Sequence, residues 1–94
     1  MSDTCSKHPQ DIPGWDGSLE ELADAVENMR YDKAYAFVHH LSRAFRKRAL
    51  RDRVSGKKML AHNLSQAADH LDATGEAVFK SWMVCKPHMK VDNG

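Results

Sequence analysis

Leu60, Leu64, Ala67, Leu71, Gly75, Val78, Trp82 and Cys85 recur at intervals of three and four residues, with no slip of phase between the first and the last. That is the period of one α-helix face, sustained for about seven turns. A helix of that length measures roughly 40 Å at a rise of about 1.5 Å per residue. A chain of 94 residues can bury such a stripe only by folding a second long element back along it. His62, Gln66, Asp69, Glu76 and Lys80 form the opposite stripe, polar as a solvated face should be. Gly75 costs roughly 1 kcal/mol relative to Ala in a helix interior, and Thr74 offers a cap for a separate helix there. The unbroken phase favours one helix, running to about Lys86 and stopped by Pro87.

The second rod lies immediately upstream. From Asp32, read as its N-cap, the chain runs to about Val54 without Gly or Pro, and Ala34, Phe37, Val38, Leu41, Ala44, Phe45 and Ala49 share one face. At 100° per residue Arg48 and Asp52 fall on that same face, while Leu50 and Val54 fall on the opposite one among Arg43, Arg46 and Lys47. The apolar pattern therefore lapses near Arg48: either the helix projects past the core there or a second partner covers the other side. Ser55-Gly56 supplies the break, since Gly accepts the left-handed conformation that closes a helix.

Ahead of both rods, "SLEE" makes Ser18 an N-cap with Glu21 placed for a capping box, and Leu19, Leu22, Val26 and Met29 give a short first helix its apolar side. Residues 1–17 hold two of the three prolines, two of the five glycines and few aliphatics, the composition of a flexible arm. The expected architecture is all-α, a small helical bundle. It comprises a long antiparallel helical hairpin plus a short N-terminal helix in a single domain over residues 18–88, with a disordered tail over 89–94.

From Ala77 to Val84, "AVFKSWMV", apolar residues go nearly all round the helix. A helix apolar on every side must be covered on every side. Val78, Phe79, Trp82 and Met83 are therefore candidate interface residues for a dimer or a partner groove, unless the first helix and the arm, with Ile12 and Trp15, fold over them. No apolar stretch approaches the roughly 20 residues of a bilayer span, so no membrane is expected. The start, Met1-Ser2-Asp3-Thr4, lacks the basic region and apolar run of a signal peptide, which sets the cytoplasm as the expected compartment and thiols or ligands as the expected state of Cys5 and Cys85.

The formal net charge of +1 conceals a segregation. Residues 1–42 carry three Lys/Arg against eight Asp/Glu, a net −5; residues 43–58 carry eight against Asp52 alone, a net +7; the remainder is −1. Arg43, Arg46, Lys47 and Arg53, with Lys57 and Lys58 around the corner, form a candidate binding site for something anionic. Arginines near the end of the second helix suit its dipole, but Lys57 and Lys58 face the positive end of the third. Nucleic-acid phosphates, an acidic protein, or the acidic first helix of a neighbouring subunit would each compensate them.

Two Cys-x-x-His pairs, Cys5 with His8 and Cys85 with His88, add up to a Cys2His2 set with the donor chemistry of structural zinc. Against this, Cys85 lies in the apolar stripe, where a thiol packs as a small hydrophobe. His39 and His40 point to different sides of their helix. There is no Glu-x-x-His pair, no His-Glu-x-x-His, no glycine-rich phosphate loop and no nucleophile elbow. The sequence therefore reads as a non-enzymatic helical interaction or regulatory protein without a cofactor, dimeric and binding another macromolecule. The alternatives are a nucleic-acid-binding protein using the basic corner, and termini joined by zinc.

Overall fold

A computed structural model describes residues 8–89, which form three helices: α1 (Leu19–Glu27), α2 (Tyr31–Val54) and α3 (Lys58–Met89). The architecture is the expected all-α one, an antiparallel α2–α3 hairpin with short α1 at its N-terminal side. The arm before residue 8 and the tail after Met89 lie outside the described residues.

Each helix boundary has a local cause. At α1 the capping box is complete: the Ser18 hydroxyl accepts from the Glu21 N–H at 3.0 Å, and the Glu21 carboxylate accepts from the Ser18 N–H at 2.8 Å. Just upstream, Ile12 to Trp15 form a type II turn, with Pro13 at its second position, Gly14 at φ +84° at its third, and the Trp15 N–H bonding the Ile12 carbonyl at 3.0 Å. The Trp15 indole then donates to the Ser18 carbonyl at 3.0 Å. This end of the arm is thus engaged in starting α1.

α2 begins two residues earlier than an Asp32 N-cap would set it. Arg30 is its N-cap and makes no side-chain cap bond. Asp32 sits in the first turn and instead receives the Arg30 guanidinium in a two-pronged pair, 2.7 Å from Nε and 2.9 Å from Nη2. That guanidinium also lies 5.4 Å from the centre of the Trp82 ring, tying the α1–α2 junction to α3. Between α2 and α3 the chain closes in a Schellman motif. The Lys57 N–H bonds the Asp52 carbonyl at 2.8 Å and the Gly56 N–H bonds the Arg53 carbonyl at 3.1 Å, with Gly56 at φ +87°.

α3 is continuous through Gly75, and it also passes Pro87, which the sequence suggested as its stop. Pro87 stands within the final turn, so the one bond it removes, to the carbonyl of exposed Met83, leaves little helix to disrupt.

The seam between the long helices is built of small residues. Ala34, Ser42 and Ala49 of α2 and Ala61, Ala68 and Gly75 of α3 are buried, and no larger aliphatic or aromatic side chain among the described residues is. Their spacing of seven, 42–49 and 61–68–75, keeps one narrow strip of each helix against the other. Ser42 meets Ala68 and Tyr35 meets Gly75, which fixes the register. Because these side chains are short, the helices approach closely and the larger apolar residues are displaced to the flanks.

A Cβ built on Gly75 would stand 3.5 Å from the Tyr35 ring and 3.7 Å from Val38, ordinary contact distances. Gly75→Ala should therefore be accommodated and should stabilise α3 by about 0.5–1 kcal/mol in chemical denaturation. A loss of stability would mean that the helices are closer at this point than described.

Candidate functional site

The hairpin has two unlike sides. On one, the period of α2 aligns Ala34, Phe37, Val38, Leu41, Ala44 and Phe45 in a single apolar face. α1 lies over one half of it, leaving a cleft of about 440 Å³ between Leu19, Leu22 and Val26 of α1 and Phe37, Val38 and Val78 of the hairpin. No residue of α1 is buried.

The other half of the face is a recess of about 370 Å³, walled by Leu41, Ala44 and Phe45 of α2 and Leu60 and Leu64 of α3, with Arg48, Arg51 and His8 beside them. Asp52 also borders it. That residue is only 5 % exposed, and its Oδ2 has no hydrogen-bond partner among the described residues.

The opposite side is polar and holds the register. The buried Ser42 hydroxyl lies 2.6 Å from Asp72 Oδ1 and 3.1 Å from the Ala68 carbonyl, and it donates to one at a time. Arg46 Nη2 donates to Asp72 Oδ2 at 2.8 Å and to Asp69 at 3.2 Å. The Ser42 hydrogen bond is the largest influence on the Asp72 carboxyl; desolvation opposes it, the Arg46 charge and hydrogen bond add to it, and the carboxyl is held below the ordinary carboxylate range. Tyr35 packs on His39 with ring centres 6.0 Å apart, and against Phe79 at 5.3 Å.

The residues singled out in the sequence are distributed among these features. Of the basic corner, Arg43, Arg46, Lys47 and Leu50 border one depression on the polar side. Arg46 is engaged with Asp69 and Asp72, so it serves the hairpin itself. Arg53, Lys57 and Lys58 are exposed at the turn, and the first turn of α3 holds no acidic residue. Around them Leu50, Val54 and Met59 are 59 %, 80 % and 79 % exposed.

The four apolar residues of late α3 point to separate surroundings: Val78 faces the α1 cleft, Phe79 lies against Tyr35, Trp82 lies under Arg30, and Met83 is exposed. Of the Cys/His set, Cys5 lies outside the described residues. His8 borders the recess near Leu60, whereas Cys85 and His88 are more than 20 residues further along α3, roughly 35 Å away by helix rise. The two ends of the set are not brought together, and Cys85 is a free thiol. Among the described residues no group of three metal-ligating side chains converges. No helix there is long and apolar enough to cross a membrane.

Arg48, Arg51 and the Ser42–Asp72–Arg46 bridge were not picked out as site residues from sequence. Arg48 carried a signal, its place on the apolar face; the bridge required the register of the two helices. The bridge can be tested directly. Asp72 should titrate below the ordinary carboxylate value in an NMR titration, and Ser42→Ala should move it upward. A depressed carboxyl contributes stability above its unfolded pKa of about 3.9 and loses it as pH falls through the folded value. Ser42→Ala should therefore lose stability near neutrality and less at strongly acid pH.

Compared with protein-family models, with curated proteins and with solved structures, the chain matches none of them.

Proposed function

We propose that this protein is a non-enzymatic helical interaction module that works by docking the apolar face of its α2–α3 hairpin onto another helical surface. The reading rests on one observation: the seam is closed by alanines, serine and glycine, and among the described residues no large apolar side chain is fully buried. Protein domains close a core between two packed layers. Here α1 supplies a second layer over half of the face only, and the recess of Leu41, Phe45, Leu60 and Leu64 is the half left for a partner. The cleft and the recess are lined chiefly by apolar side chains, a lining suited to docking.

A second reading, nucleic-acid binding at the turn, rests on Lys57 and Lys58 at the positive end of α3 without an acidic neighbour in its first turn. Arg46 is already paired, and the aromatic residue of the basic block, Phe45, lines the apolar recess rather than the turn, so the stacking that usually accompanies such binding has no aromatic partner beside Lys57 and Lys58.

The docking reading predicts different outcomes for folding and for association. Phe45→Ala in dilute protein should cost well under the roughly 3–5 kcal/mol of a fully buried phenylalanine. A photo-crosslinking residue at position 45 should give a defined adduct in the cell of origin, abolished by Leu64→Asp with helicity retained, whereas the same residue in place of Gln66 on the polar side should give none. Absence of the adduct from position 45 contradicts the reading. For the turn, Lys57→Glu with Lys58→Glu should stabilise the free chain by up to ~1 kcal/mol through the corrected dipole interaction. Loss of nucleic-acid binding with a steep salt dependence in the parent would favour the second reading.

A further inference from the structure

The two halves of the apolar face carry opposite charge. α1, raised over one half, bears Glu20, Glu21, Asp24 and Glu27 and no basic residue. The recess in the other half is flanked by Arg48 and Arg51, both exposed and neither in an ion pair among the described residues. Asp52, buried at its edge, offsets one of the two arginines and leaves the recess with a net positive charge against the four carboxylates of α1. Along α2 the two halves are centred about 12 residues apart, roughly 18 Å. That is beyond the ~10 Å over which exposed charges act at ordinary ionic strength, so one chain does not neutralise itself.

On the docking reading above, we infer that the occupant of the recess is α1 of a second copy, in a two-fold dimer whose hairpins run antiparallel. A two-fold axis across the helices turns one face over onto the other and sets the raised α1 of each chain above the partner's recess. Acidic α1 then meets Arg48 and Arg51 twice, and α1 gains the second apolar neighbour that its lack of any buried residue calls for. Parallel pairing would bring acid to acid and base to base.

The dimensions agree with a closed pair. The molecule is a slab of 54 × 29 × 15 Å. An obligate dimer removes upwards of about 1,000 Å² from each chain, an area within the reach of the slab's broad 54 × 29 Å face.

A reciprocal charge reversal on the full chain tests this arrangement, using exposed residues whose replacement leaves the hairpin seam untouched. One variant carries Arg48→Glu and Arg51→Glu; the other carries Asp24→Lys and Glu27→Lys, late in α1 where lysine suits the helix dipole. In sedimentation equilibrium from about 1 to 100 µM the parent should be a dimer, and each variant alone should dimerise roughly 10- to 100-fold more weakly. An equimolar mixture should recover the parent affinity as a heterodimer, because one contact is then the parental one, the other is reversed on both sides, and both are complementary. Circular dichroism of each variant should match the parent.

A parent that stays monomeric throughout, variants that dimerise like the parent, or a mixture that fails to recover would each overturn the inference. A monomer that still gives the position 45 adduct removes the second copy as occupant and leaves the docking face standing. Loss of both removes the reading beneath it as well.

Discussion

The close approach of two long helices along a strip of small side chains governs the rest of this molecule. Ala49 and Ala61, Ser42 and Ala68, and Gly75 beneath Tyr35 leave no room at the seam for leucine or phenylalanine. A seam of this kind gains dispersion contact and backbone proximity but buries little apolar area, and area is what supplies most of the hydrophobic stabilisation. The large residues therefore stand on the flanks, half covered. One flank is closed by polar means, through Ser42, Asp72 and Arg46, and the other is closed by α1 only in part.

From that division follows the contrast between the two sides. The polar side carries the specificity of register: a hydroxyl and a guanidinium from α2 converge on carboxylates of α3, and a slip by one turn would separate them. The apolar side carries the capacity for association, since Leu41, Phe45, Leu60 and Leu64 meet nothing above them among the described residues except what borders the recess. Charge follows the same axis. Acidic α1 stands toward one end and the basic turn at the other, an arrangement that repels a copy in parallel and attracts one in antiparallel orientation.

Much of the fold was legible in the residues. The eight-position stripe from Leu60 to Cys85 specified α3 through Gly75, Gly56 specified the turn, and "SLEE" specified the start of α1. Two boundaries were not. Asp32 has the chemistry of an N-cap, but Arg30 two residues before it captures its carboxylate, and only the fold shows that competition. Pro87 reads as a stop, yet within a final turn it removes one bond and the helix passes it.

The functional surface was less legible. The basic block between Arg43 and Lys58 reads as one patch in the chain but is divided by the helix into a polar side, an apolar-face recess and a turn. Arg46 left the patch altogether for Asp69 and Asp72, 23 and 26 residues away. The heptad of small residues at 61, 68 and 75 was present in the sequence, but Ala61 and Ala68 lie beside, not in, the stripe whose leucines suggested a conventional apolar core.

On the proposal that a second copy occupies it, the apolar face beside α1 is a docking surface rather than a loosely packed core. Solvent exposure of individual methyl groups measures this most directly, through the NMR relaxation caused by an inert paramagnetic probe as protein concentration rises. The methyls of Leu41, Leu60 and Leu64 should become protected with concentration while those of Leu50 and Val54, at the turn, keep their exposure. Equal and unchanging exposure at all five positions would contradict the account.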